Sequence, residues 1–160
     1  MISFESRYLE FVEKVYWYIF RKVRNTHDAE DLTSQTFLKA YQSYSRLRDQ
    51  NRFAPWIFKI AHNISMDYFR HSRQDSSEDL DWLQSEKDDL LSNTIHSELS
   101  RQIQTKISRL SKEEQDLLDL RFVAQLTFKD MATVLQRNES TVKKQYYKTI
   151  IQLRNILEEK

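Results

Sequence analysis

The chain has 160 residues, no glycine and a single proline, Pro55. Glycine supplies the positive φ angles of tight hairpin turns and bulges at no steric cost. A chain without any is therefore poorly equipped for a sheet-rich fold. Leu, Ile, Glu, Lys, Gln and Arg are abundant instead, which favours helix. The fold class expected is all-α: two small helical domains joined by an acidic linker, the second containing a helix-turn-helix.

The same composition narrows function. Without cysteine there is no disulfide, thiol nucleophile or cysteine-held zinc. His27, His62, His71 and His96 lack ligand spacing, so no metal and no cofactor is expected. No serine, histidine and carboxylate constellation or phosphate-binding glycine loop is present, so no catalytic residue is assigned and the chain is read as a non-enzyme. The N-terminal MISFESRYLEF carries acidic residues within its apolar stretch and is not expected to be a signal peptide. No run approaches the roughly 20 apolar residues of a membrane span, so no direct membrane insertion is expected and a cytoplasmic location is the default.

The net charge of +1 hides a pattern. Residues 1–73 hold 12 Lys/Arg against 8 Asp/Glu, net +4; residues 74–94 hold one Lys against seven Asp/Glu, net −6; residues 95–160 hold 12 against 9, net +3. Two basic blocks flank an acidic connector, as in chains that contact nucleic acid, although a charge run is more often a solvated face.

Apolar spacing places the helices. Tyr8, Phe11, Val12, Val15, Tyr16, Ile19, Phe20 and Val23 predict a helix from Glu5 to Arg24. Thr26 is the expected cap of a second helix, with Asp28, Glu30 and Asp31 in its first turn and Leu32, Phe37, Ala40, Tyr41 and Tyr44 beyond. Residues 45–52 read as a loop. Pro55 suits the first turn of a third helix, with Ile57, Ile60, Ala61, Ile64 and Tyr68 as its buried face. Residues 74–94 read as a linker, with a turn around Trp82. A stripe of Ile95, Leu99, Ile103, Ile107 and Leu110 opens the second domain, followed by a capping box at Ser111–Glu114 and a helix ending near Val123. Thr127 to Asp130 is a looser box before a helix over Phe128–Leu135, and Asn138 caps a long last helix.

Residues 127–153 have the proportions of a helix-turn-helix. In that motif the start of the second helix faces base edges, which here places Glu139, Ser140, Lys143, Lys144 and Tyr147. The alternative is a helical hairpin with a solvated basic face. In the first domain, Tyr44, Arg46, Arg48, Arg52, Phe53, Trp56, Lys59, His62 and Arg70 interleave rings with cations, as single-stranded nucleic acid requires. Phe53 and Trp56 also fit a structural role, which leaves Tyr44 and the loop arginines as the better contact candidates.

Taken in order, these segments resemble the extracytoplasmic-function sigma factors. Asp28-Ala-Glu-Asp-Leu32 through Tyr41 is similar to their core-binding helix. Phe53-Ala-Pro-Trp-Ile-Phe-Lys-Ile-Ala-His-Asn63, with Asp67 and Arg70, is similar to their promoter-melting helix. Leu110-Ser-Lys-Glu-Glu-Gln115, Leu120-Arg-Phe122, Leu126-Thr-Phe-Lys-Asp-Met-Ala132 and Ser140-Thr-Val-Lys143 are similar to the domain that reads the upstream element. The resemblance implies that residues 1–73 are region 2, 74–94 the linker and 95–160 region 4. It implies docking on RNA polymerase core, through the largest-subunit clamp coiled coil and the flap, with Asp28, Asp31, Leu32, Gln35 and Phe37 on the clamp. It implies −10 contacts from Arg48, Asn51, Arg52, Phe53, Trp56, Lys59, Asn63, Asp67 and Arg70. It implies −35 contacts from Arg121, Glu139, Ser140, Thr141, Lys143, Lys144 and Tyr147, and an anti-sigma factor as a further partner. The competing expectation is a stand-alone helix-turn-helix regulator. Two departures stand out. Gln136 and Arg137 occupy the turn where the family often has glycine and then an apolar residue, and Lys144-Gln145 replaces its usual Ser-Arg pair.

Overall fold

A computed structural model describes residues 2–74 and 97–159. These fall into two compact units, one on each side of the stretch between them. Gln74, the first residue of the expected linker, is the last of a helix; the rest of that linker, with its turn at Trp82, and Ile95 lie outside the described residues. All regular structure among the described residues is helical.

The first unit holds α1 (Phe4–Val23), α2 (Thr26–Ser43) and α3 (Phe53–Gln74), with short 3₁₀ turns at Tyr44–Arg46 and Gln50–Arg52. Ser3 caps α1, its side chain accepting from the Ser6 N–H. Arg24 closes α1 in the left-handed region at φ 57° and donates its N–H to the Phe20 carbonyl. Asn25, not Thr26, caps α2: its Oδ1 accepts from the Asp28 N–H at 2.9 Å, and Thr26 is already helical. Asparagine is among the strongest capping residues and stands one position earlier, so it takes the role.

Val15, Tyr18, Ile19, Ala29, Ala40, Ile57, Phe58 and Ala61 form the centre of this unit. Alanine at a helix contact lets backbones approach, and rings from the neighbouring positions fill the space. Tyr18 and Phe58 were not in the expected stripes but are fully enclosed, whereas Tyr8 is exposed and Ile60, Ile64 and Tyr68 are half-buried. Thr33, Thr36 and Ser65 are buried too. Each hydroxyl donates to the carbonyl four residues back, at 2.7, 2.7 and 2.9 Å, which satisfies it within its own helix.

The second unit holds α4 (Ser97–Ile107), α5 (Lys112–Leu118) continued by a π-helical turn at Asp119–Val123, α6 (Phe128–Leu135) and α7 (Glu139–Glu158). The Ser111 capping box forms in both directions. Leu120, Leu126, Met131, Val134 and Val142 make the core. Leu110, Leu118 and Tyr146 extend it toward Phe128, Ile150, Leu153 and Ile156. The stripe through helix α4 is only partly buried: Leu99 is 70% exposed and Ile103 is also exposed, Ile107 is half-buried, and Leu110 beyond the helix is buried. The C-terminal end of α4 is tied to the end of α7. Lys106 Nζ donates to the Leu157 and Glu159 carbonyls, and Arg109 pairs with Glu159 at 2.6 Å, holding that carboxyl below its ordinary range.

With no glycine available, Arg24, Gln125 and Gln136 adopt positive φ. A left-handed non-glycine residue costs about 1 kcal/mol or more, and all three sit where the chain must reverse.

Candidate nucleic-acid interface

Two 3₁₀ turns bend the chain from α2 into α3 and carry Arg48, Asn51 and Arg52 on the surface. Helix α3 follows directly. Trp56, Lys59, Asn63, Asp67 and Arg70 recur on it at three- and four-residue steps and so share one face, which the exposed Met66 borders. Asn63, Asp67 and Arg70 are exposed, and Trp56 and Lys59 are half-buried. Arg70 donates to the Asp67 carboxylate one turn before it.

Two expected base contacts are withdrawn by burial. Phe53 is 1% exposed, its ring 5.1 Å from Phe11 and 5.5 Å from Trp56. Tyr44 is buried as well, its hydroxyl turned toward the Ile2 carbonyl and Gln50. A ring enclosed by protein has no face left for a base. Trp56, which is half-buried, keeps part of its ring at the surface.

On α2, Asp28, Asp31 and Gln35 lie along one face, but the outward surface is more apolar than expected. Leu38 is 60% and Tyr41 65% exposed on its continuation. Leu32 and Phe37 are instead buried and point into the unit, which removes them from any docking surface. Asp28 accepts from the Tyr68 hydroxyl at 2.6 Å and ties α2 to α3, leaving Asp31 and Gln35 as the exposed polar members. Leu38 was missed because single exposed leucines have no signature in sequence.

In the second unit, α6 and α7 form the helix-turn-helix. Gln136 ends α6 at φ 54°, and Asn138 caps α7, accepting from the Ser140 N–H and hydroxyl at 2.8 and 2.6 Å. Ser140 thus gives its proton to the cap. Glu139, Thr141, Lys143, Lys144 and Tyr147 are exposed. So is Lys148, which the motif proportions left out. Val142, Tyr146 and Thr149 face inward. Arg121 donates through Nη1 to the Leu126 carbonyl at 2.8 Å and lies 4.6 Å over the Phe128 ring, bracing the turn before α6.

The two sequence departures meet. Arg137 Nη1 donates to Gln145 Oε1 at 2.9 Å, and Nη2 reaches Glu113 at 3.5 Å. The turn is therefore fastened to α7 by the residues that replace the usual pattern. Truncating Arg137 and Gln145 to alanine singly and together is expected to give a coupling of about 1 kcal/mol in unfolding free energy. Strictly additive losses in a denaturant titration would show the bond to be idle.

Comparison with known proteins bears on what these surfaces are. Residues 7–74 match the family model described as Sigma-70 region 2, and residues 100–153 match Sigma-70 region 4. The chain is 31% identical to the ECF RNA polymerase sigma factor BldN of Streptomyces coelicolor, over 97% of this chain and 60% of that one. It belongs to the extracytoplasmic-function family of sigma factors. This sigma factor is also 25% identical to SigW of Bacillus subtilis, over 82% of its own length and 76% of that protein. It spans less than two thirds of BldN but most of SigW. Its fold is shared with the sigma factor RpoE of Bartonella quintana, solved with the anti-sigma factor NepR, at a TM-score of 0.75 and 16% identity over 97% and 96% of the two chains. It is shared too with CnrH, solved with the cytosolic domain of CnrY, at 0.69 and 16% over 97% and 87%. No helix among the described residues is long and apolar enough to cross a membrane.

Proposed function

We propose that this sigma factor docks on RNA polymerase core and directs it to promoters, with residues 1–73 opening and holding the −10 element, 74–94 acting as a linker and 95–160 reading the −35 element. The observation that carries this is the exposed polar face of α3, running from Trp56 to Arg70 directly after a basic loop. Asn51 and Asn63 can accept and donate at base edges and the Asp67 carboxylate can accept, while Arg48, Arg52, Lys59 and Arg70 supply charge for phosphates. In the helix-turn-helix, Lys143, Lys144 and Lys148 supply phosphate charge, and Glu139, Thr141 and Tyr147 are placed to meet the duplex.

Magnitudes set the division of labour. Opening duplex costs about 1.4 kcal/mol per stacked step, and stacking one base on a ring returns about 1–3 kcal/mol. With Phe53 and Tyr44 enclosed, the half-buried Trp56 offers a platform, enough to catch a base but not to sustain a bubble. Core must supply the rest. Asp31 and Gln35, with Leu38 and Tyr41, form the surface through which we assign docking on the clamp coiled coil, and the second unit is assigned to the flap. The role is recognition and positioning, with no bond made or broken by the chain, and it is exercised where polymerase works. An anti-sigma factor is the partner we assign for control, on the ground that the RpoE structure sharing this fold was solved with one.

Run-off transcription from a fragmented genomic library, with purified bacterial core and with or without the chain, tests this. Discrete new transcripts are expected only when both are present. Specific DNA binding by the chain without core, and no discrete transcripts with it, would instead identify a stand-alone regulator.

A further inference from the structure

We infer that Arg7, on the first helix and remote in sequence from every assigned contact, is a positioning residue that holds the loop carrying Arg48, Asn51 and Arg52 in the shape needed to capture unpaired −10 bases; this rests on the promoter-opening role proposed above. The Arg7 side chain is only 12% exposed. Its Nη2 donates to the Gln50 carbonyl at 3.0 Å, its Nε to Gln50 Oε1 at 3.4 Å, and its guanidinium lies 5.2 Å over the Phe53 ring. Gln50 stands between Asp49, which caps the 3₁₀ turn through the Asn51 N–H, and the two contact residues Asn51 and Arg52.

The other hold on the Gln50 side chain is divided. The Tyr44 hydroxyl has one proton and faces two acceptors, the Ile2 carbonyl at 2.5 Å and Gln50 Oε1 at 2.8 Å, so it donates to one at a time. Gln50 Nε2 is buried with no partner and adds nothing to the hold. Within the turn the Gln50 carbonyl also accepts the Phe53 N–H, and Arg7 is the grip from another helix, reaching backbone and side chain of one residue with a charged donor, which is stronger than a neutral one. Two aromatic residues flank the grip, Phe53 under the guanidinium and Tyr44 against Gln50.

The test uses the full chain assembled with core and a fork-junction template built on a promoter recovered by run-off transcription. Arg7→Ala is expected to weaken capture of the single-stranded −10 portion by about tenfold, with affinity for core and for the −35 duplex unchanged. Gln50→Ala, which leaves the backbone carbonyl for Arg7 Nη2, should give a smaller loss of the same kind. Gln50→Glu, which keeps both acceptors and removes the stranded amide donor, should restore capture. Equal capture by Arg7→Ala and wild type would overturn the inference. So would a loss of capture matched by an equal loss of core affinity, because Arg7 would then serve the fold alone. If the wild-type holoenzyme captures nothing, the promoter-opening role itself fails, and the inference with it.

Discussion

Asp31→Lys is expected to abolish polymerase-dependent transcription while leaving the thermal melting of the chain unchanged. Asp31 is 62% exposed and lies 3.7 Å from the still more exposed His27, a pair worth little to stability. At an interface the same charge matters more. Reversing it replaces attraction with repulsion and costs about 3 kcal/mol, roughly a hundredfold in affinity for core. A direct binding titration of variant and wild type against core is the measurement. Equal affinities would move the docking surface off this face of α2 and leave Leu38 and Tyr41 without an assigned partner.

The second large effect runs the other way. Phe53→Ala is expected to destabilise the first unit by about 3–5 kcal/mol, a large share of what holds a domain of this size together. The ring is enclosed by Phe11, Tyr44 and Trp56 under the Arg7 guanidinium, so its removal opens a cavity beneath the recognition loop. Trp56 reports on that cavity, and urea unfolding followed by tryptophan fluorescence measures the loss. An unchanged midpoint combined with lost DNA capture would return Phe53 to the role of a base contact.

These two residues mark what was legible in the sequence. Element positions were, because apolar spacing and capping chemistry act locally. Ser111, Thr127 and Asn138 cap the helices that their side chains predict. Polar residues at regular steps on α3 were also legible, since helical geometry alone puts them on one face. What stayed hidden depends on which way a mixed segment turns inward. Phe53, Tyr44, Leu32 and Phe37 sit in stretches where rings and charges interleave, and their burial is decided by α1, which lies far away in sequence. Tyr18 was lost for the same reason: its ring reaches the core while its hydroxyl finds His62 Nδ1 at 3.2 Å, a partner 44 residues on. The Arg7 grip on Gln50 spans a similar distance and leaves no local pattern.

The link between Arg137 and Gln145 bears on how such proteins are re-engineered. Moving the last helix alone from a relative would bring a different side chain to position 145 and leave the Arg137 guanidinium facing it. An arginine there would set two cations against each other; a serine would fall short. The transplantable unit is the turn together with the helix, and Glu113 at the start of α5 belongs to the seam. Promoter preference in a chimera cut between residues 137 and 145 would report the broken joint before it reported the DNA.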